Sequence, residues 1–140
     1  MMPQRILLID DDPLVLDGLM TAFRAMSQYE VFGARDGIEG LEQVETFGPD
    51  CIIVDVRMPH LDGLQFLLAL RGDPRMTHIP VVILSAMQQD DDILKGNLTG
   101  ADRYLIKPQR PAHLFAIIDE VMALTEADRL ARMRALAEGE

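Results

Sequence analysis

Five short apolar runs recur along the chain, each rich in Ile, Val and Leu and bounded by Asp, Gly or Pro. Runs of this length and composition are typical of buried parallel strands. Their starts lie 25, 21, 29 and 23 residues apart, which leaves room for a helix and two loops after each strand. The predicted strands are Arg5–Ile9, Glu30–Ala34, Cys51–Asp55, Pro80–Leu84 and Arg103–Ile106.

Segments with helical periodicity and helix-start signals fill the gaps between these runs. Asp12 is a predicted N-cap before Pro13 at the first helical position, and Asp36 with Glu39 resembles a capping box. The predicted helices are Leu14–Met26, a helix from Asp36 to about Thr46, Gly63–Arg71 capped by Asp62, a polar helix over Asp90–Leu98, and a last helix opened by Pro111.

Strand followed by helix, five times, predicts an α/β fold with a parallel sheet. Right-handed crossovers then place helices on both faces of that sheet. Five units are too few for an eight-fold barrel, so we expect an open, doubly wound, five-stranded sheet. The strand Glu30–Ala34 starts with a charged residue and contains Gly33, which makes it the expected edge.

Residues 125–140 extend beyond the five units. Thr125 and Asp128 form a potential capping box, and Leu130, Met133 and Ala137 make a thin apolar stripe. Two interpretations stay open, a frayed helical extension or the start of a signalling helix or docking surface. If this segment continued the preceding helix, Pro111–Glu138 would be a single helix of 28 residues.

Composition narrows the class of protein. The chain has 13 basic and 23 acidic residues and a net charge of −10, which argues against a direct nucleic-acid surface. A single cysteine excludes an internal disulfide and a multi-cysteine metal site. The longest apolar runs, Phe66–Leu70 and Leu114–Ile118, are too short to span a bilayer. We therefore expect an acidic, cytoplasmic single domain without a membrane partner.

Polar residues stand where four of the predicted strands end. Asp10–Asp12 follow the first strand, Asp55 ends the third, Ser85 follows the fourth and Lys107 follows the fifth. In open α/β sheets, ligands bind beyond the carboxyl ends of the strands. The sequence therefore predicts that carboxylates, a hydroxyl and an ammonium group meet at one edge of the sheet.

Gathering carboxylates in this way costs free energy. Two of them about 5 Å apart repel by about 3 kcal/mol at an effective dielectric constant near 20. Either one carboxyl keeps its proton or a cation binds, and Mg²⁺ is the cation that hard oxygen ligands suit. A carboxylate can also attack phosphorus to form an aspartyl phosphate, with Lys107 and Ser85 neutralising charge on the phosphoryl oxygens.

Four pieces of sequence in order carry a family resemblance. They are Leu-Leu-Ile-Asp10-Asp11-Asp12, Val54-Asp55-Val-Arg-Met-Pro59-His-Leu-Asp-Gly63, Ile83-Leu84-Ser85-Ala86 and Gly100-Ala-Asp-Arg-Tyr104-Leu-Ile-Lys107-Pro108. The chain resembles the receiver domain of two-component response regulators over about residues 4–124. The resemblance implies a flavodoxin-like (βα)5 fold, with residues 125–140 as a C-terminal helical extension or the start of a linker.

The resemblance implies a phosphoryl acceptor and a metal site. Asp55 would accept a phosphoryl group from a sensor histidine kinase or a phosphotransfer protein. Asp11 would bind Mg²⁺ directly, with Asp10 beside it, and Asp55 and the backbone carbonyl of Arg57 would complete the protein ligands. Mn²⁺ is the expected substitute ion.

The resemblance also implies a switch. Ser85 and Lys107 would contact the phosphoryl oxygens, the Tyr104 ring would follow the position of Ser85, and Lys107-Pro108 would be a cis peptide. Phosphorylation would then change the face formed by the fourth predicted helix, the fifth strand and the fifth predicted helix, which serves homodimers or partner contacts. The domain is expected to be a signalling module rather than an enzyme, although it assists its own phosphorylation and dephosphorylation.

Two other functions compete with this interpretation. A pseudo-receiver would bind partners without phosphorylation, but it need not retain four mutually destabilising charges. An aspartate-based phosphatase shares the nucleophile and the metal, yet Arg57 stands where such enzymes have a second aspartate, and there is no room for a substrate cap. The resemblance also implies that the two positions flanking the site, Arg57 and Met87, vary within the family and tune the lifetime of the phosphoryl group.

Overall fold

The computed structural model describes residues 3–86 and 100–137, and the predicted strands are all present. The fourth begins one residue later than predicted, because Pro80 has no N–H for the ladder, and it ends one residue later, because Ser85 pairs with Ile106 of the fifth strand. Ser85 is therefore the last residue of that strand. The strands are β1 (Arg5–Ile9), β2 (Glu30–Ala34), β3 (Cys51–Asp55), β4 (Val81–Ser85) and β5 (Arg103–Ile106).

All strand pairs are parallel, and the order in the sheet is β2-β1-β3-β4-β5. This is the doubly wound, flavodoxin-like arrangement, so the predicted fold class is confirmed. The predicted edge position of β2 is also correct. Five helices are described, namely α1 (Pro13–Met26), α2 (Gly37–Phe47), α3 (Gly63–Arg71), α4 (Pro111–Ala123) and α5 (Glu126–Ala137).

The sheet separates two apolar clusters, which shows that helices cover both of its faces. On one face, side chains of α2 and α3 such as Val44 and Phe66 pack on Leu7 and Val54 of the sheet. The opposite cluster joins side chains of α1 and α4 to alternate residues of the same strands. None of the described helices is long and apolar enough to cross a membrane.

The predicted caps hold the helix starts at the edge where the strands end. The Asp12 carboxylate accepts from the Leu14 N–H at 2.9 Å, and Asp62 forms a reciprocal capping box with Gln65. The predicted box at Asp36 is half formed: Asp36 accepts from the Glu39 N–H. The Glu39 side chain accepts instead from the Arg35 N–H.

The C-terminal segment does not continue the preceding helix. Helix α4 ends at Ala123, and Leu124 is extended, with ψ 145°. A reciprocal box between Thr125 and Asp128 then starts α5 afresh, so a single 28-residue helix is not formed. The predicted helix Asp90–Leu98 lies outside the described residues.

Candidate functional site

Three aspartates meet at the carboxyl edge of the sheet. Asp10 directly follows β1, and Asp55 ends the neighbouring strand β3. These strands flank the point where the strand order reverses, which is where open α/β sheets bind ligands. Carboxylate oxygens of Asp10, Asp11 and Asp55 lie within 4.8 Å of one another. Asp10 and Asp55 are buried, whereas Asp11 is exposed.

Backbone contacts fix the acidic residues. The Asp12 N–H donates to Asp10 Oδ1 at 2.9 Å and thereby orients that carboxylate. After β3, the Gly63 N–H donates to the Val56 carbonyl at 2.8 Å, which brings the start of α3 against Asp55. A Cβ on Gly63 would lie 2.3 Å from the Asp55 carbonyl oxygen, so this close approach requires glycine.

Lys107 directly follows the edge strand β5, and its side chain pairs with two of the acidic residues. Its Nζ lies 3.1 Å from Asp10 Oδ2 and 3.2 Å from Asp55 Oδ2. Its backbone N–H donates to the Ser85 carbonyl at 2.8 Å, which joins the ends of β4 and β5. The Lys107-Pro108 peptide bond is cis, as the resemblance implies.

Burial and neighbouring charges shift the pKa values of Asp55 and Lys107. Burial raises the pKa of Asp55 to about 6; Lys107 offsets part of that rise, and the charges of Asp10 and Asp11 add to it. Burial lowers the pKa of Lys107, but Asp55 and Asp10 together outweigh burial and raise it overall. Among the described residues, the carboxylates of Asp10, Asp11 and Asp55 lie together and Lys107 pairs with two of them, so its one positive charge does not balance all three when they are ionised.

Ser85 and Tyr104 lie on the adjoining strands. Ser85 is 1% exposed, and among the described residues its Oγ has no hydrogen-bond partner. A buried hydroxyl without a partner costs roughly 1–3 kcal/mol, so this atom is suited to a ligand oxygen. Tyr104 is half-buried against the apolar cluster of α2 and α3, and burial raises its pKa to about 12. In the β4–β5 register it pairs with Ile83, two residues before Ser85.

A cleft of about 340 Å³ opens beside the aspartates. It is lined by Asp11, Val56, Arg57, Met58 and Asp62. The Arg57 side chain is exposed at its mouth. The metal-ligand role of the Arg57 carbonyl stays a prediction, and the flanking Met87 lies outside the described residues.

The donor set fits a small divalent cation. Carboxylate oxygens are hard ligands, and Mg²⁺ places opposite ligands about 4.2 Å apart, close to the observed spread. The excess negative charge favours a cation, and the cleft leaves space for the water that Mg²⁺ usually retains. Among the described residues, this is the cluster of His, Cys, Asp or Glu that could hold a metal ion. In the part of the chain that the structure describes, none of the three histidines belongs to such a cluster.

Sequence reasoning missed a second charged cluster, at the opposite end of the sheet. Asp102, which is 3% exposed, accepts from Arg71 Nη2 at 3.3 Å and from Arg129 Nε at 2.6 Å. It also accepts from the Val81 N–H at 2.9 Å. Asp102 stands in one of the four resembling pieces, but its partners are distant in sequence, and no spacing rule connects them. We call Asp102, Arg71 and Arg129 the basal cluster.

The family model for the response regulator receiver domain matches residues 6–119. The chain belongs to the response regulator receiver domain family. This receiver domain is 38% identical over 122 residues to the DNA-binding dual master transcriptional regulator RpaA of Synechocystis, covering 87% of this chain and 50% of that protein. It is 40% identical over 118 residues to the transcriptional regulatory protein PrrA of Mycobacterium tuberculosis, covering 84% of this chain and 49% of that protein. The chain spans about half the length of these curated relatives.

A solved structure resembles this receiver domain in fold. It is the receiver domain of the sensor histidine kinase PA1611 from Pseudomonas aeruginosa, described with a magnesium ion coordinated in its active-site cleft. The two chains superpose with a TM-score of 0.79 at 28% identity, covering 88% of this chain and 100% of the other. Membership of the family places the chain in two-component signalling.

Proposed function

We propose that this receiver domain is a phosphorelay switch that accepts a phosphoryl group on Asp55 from a sensor histidine kinase or phosphotransfer protein. One observation carries the proposal: Lys107 Nζ lies within 3.2 Å of both Asp10 and Asp55 at the strand-order reversal, with Asp11 in the same cluster. A binding module that is never phosphorylated has no need of this arrangement, because each additional carboxylate increases the electrostatic repulsion on the others.

The chemistry follows from the ionised form of Asp55. The ionised carboxylate oxygen attacks phosphorus, an O–P bond forms, and the P–N bond to the donor histidine breaks. Lys107 and the Ser85 hydroxyl then offset charge on the phosphoryl oxygens. Mg²⁺ held by Asp10, Asp11, Asp55 and the Arg57 carbonyl would supply further positive charge there. Mn²⁺ offers the same charge to the same oxygen ligands.

The response is proposed to travel along β4 and β5. The orphan Ser85 hydroxyl would turn toward the phosphoryl group, and the half-buried Tyr104 ring would move into the space near it. The proposed output face includes β5 and α4, and the predicted helix Asp90–Leu98 of that face lies outside the described residues. Partner or homodimer contacts are proposed at this face. We propose residues 4–124 as the receiver unit and 125–140 as its extension.

The proposed partners are proteins in the cytoplasm. With a net charge of −10, these residues are not expected to grip nucleic acid or membrane directly. The DNA binding in the name of RpaA belongs to that longer protein, so the expected absence of nucleic-acid contact stays a prediction. The domain is proposed to be a phosphoacceptor that assists its own chemistry, rather than an enzyme acting on other substrates.

Phosphate-affinity electrophoresis tests the proposal. The protein is incubated with acetyl phosphate or phosphoramidate and Mg²⁺, and a retarded band is expected. Asp55→Asn should abolish the band, whereas Asp17→Asn, the same change at an exposed position of α1, should keep it. A wild type without a retarded band would favour the alternative, a pseudo-receiver that binds partners constitutively.

Arg57 is expected to slow spontaneous dephosphorylation. Its exposed side chain at the mouth of the cleft is close enough to shield the acyl phosphate from water. Arg57→Ala should therefore hydrolyse its phosphoryl group about 2- to 10-fold faster than the wild type. The measurement is the decay of the retarded band after the donor is removed. Faster decay in the wild type than in Arg57→Ala would refute this role.

A further inference from the structure

Helix α5 is attached to the domain through one buried arginine. Arg129 is 8% exposed, and its Nε and Nη2 reach the two Asp102 oxygens at 2.6 and 3.2 Å. Its Nη1 donates to the His78 carbonyl at 2.6 Å. All three guanidinium nitrogens are therefore engaged with groups outside α5.

The burial of α5 can be followed over residues 125–135. Arg129 is the one buried residue there, Met133 and Ala135 are partly buried, and Leu130 is 48% exposed. An ion pair also joins Arg132 to Glu120 at 2.7 Å, between side chains that are more than 40% exposed. Exposed ion pairs contribute little. Over residues 125–135, the buried charge pair is therefore the main attachment of α5, with Met133 partly buried beside it.

Helix α5 does not depend on α4 for its start. Leu124 is extended, and the Thr125–Asp128 box starts the helix independently. A helix of 12 residues is marginal in water by itself. Undocking should therefore melt α5 without requiring α4 to unfold.

Asp102 connects this attachment to the strands that carry the site. Its side chain accepts from the Val81 N–H at 2.9 Å, and its own N–H donates to the Val81 carbonyl at 2.8 Å. Val81 starts β4 and Asp102 directly precedes β5. At the other end of this strand pair, the Lys107 N–H donates to the Ser85 carbonyl.

We propose that α5 is a releasable latch, held by the Arg129–Asp102 pair, that closes the amino-terminal ends of β4 and β5. When Arg129 leaves, Asp102 keeps Arg71 and Val81 as partners, so the domain stays folded while the strand ends loosen. The latch requires no phosphoryl group on Asp55 in order to open. Its release would loosen the strands that end in Ser85 and Lys107.

Hydrogen exchange resolved by residue tests the latch on the whole chain. In the wild type, α5 amides should exchange at least about 10-fold more slowly than coil. Arg129→Gln should bring them within about 2-fold of coil and speed exchange of the Val81 amide, while α1–α4 keep their protection. Arg132→Gln, the same change on the same helix, should stay within about 3-fold of the wild type.

Two results would overturn the proposal. One is unchanged α5 protection in Arg129→Gln, which would mean that other contacts hold the helix. The other is loss of protection in α1–α4 together with α5, which would mean that α5 is not a separate unit. If Arg129→Gln does not fold, Arg129→Lys keeps the charge without the two-pronged contact. Its α5 exchange should fall between those of the wild type and coil, and a value equal to the wild type counts against the latch.

Discussion

Replacing Asp102 by alanine is expected to lower the free energy of unfolding by about 3–5 kcal/mol. The carboxylate is 3% exposed and accepts from Arg71, from Arg129 and from the Val81 N–H. Its removal would leave two mostly buried guanidinium groups without their counter-charge and one backbone donor without an acceptor. Burial already lowers the pKa of Arg71, and Asp102 is the group that opposes this effect.

Urea unfolding at pH 7 measures this loss. Asp102→Asn should cost less than Asp102→Ala, because the amide oxygen can still accept from the Val81 N–H. Glu45→Gln serves as the control, since Glu45 pairs with Arg75 where both side chains are more than 60% exposed. That control should change the unfolding free energy by less than about 1 kcal/mol. An Asp102→Ala loss no larger than the control would show that the basal cluster does not stabilise the fold.

The two ends of the sheet differ in how much of their arrangement could be predicted from the sequence. The arrangement at the carboxyl end of the sheet was predictable because each group lies at or just after the end of a strand, and parallel strands bring their carboxyl ends together. Asp10 and Asp55 illustrate this rule, since local pattern places both. Ser85 differs from its prediction only in being the last residue of β4 instead of the residue that follows the strand.

The basal cluster could not be predicted in the same way. Arg129 reaches Asp102 across 27 residues of sequence, and its helix carries only a thin apolar stripe. Helical periodicity reports apolar burial, so a helix docked through a charge pair leaves no signal in that pattern. The C-terminal segment forms the helix α5 and contacts its own domain through Arg129, and its role as an extension or as the start of a signalling helix or docking surface stays a prediction.

Asp55→Asn is expected to stabilise the Mg²⁺-free protein at pH 8 by up to about 3 kcal/mol. Burial raises the pKa of Asp55 to about 6 in the folded state, against 3.8 for the free side chain. A group with a raised folded-state pKa contributes stability below its unfolded pKa and loses it as pH rises through 6. Ionised Asp55 therefore destabilises the fold at pH 8, and asparagine removes that charge.

The pH dependence separates this effect from a simple packing change. At pH 4 the wild-type carboxyl is protonated in the folded state, so the advantage of Asp55→Asn should shrink to less than about 1 kcal/mol. Urea unfolding in a chelating buffer measures the difference in unfolding free energy between Asp55→Asn and the wild type at pH 8 and at pH 4. The control Asp17→Asn, at an exposed position, should not be more stable than the wild type at either pH. Added Mg²⁺ should also narrow the gap at pH 8, because a cation bound to the native state stabilises the wild type by mass action. A gain that is the same at both pH values would contradict the assignment of the cost to the Asp55 charge.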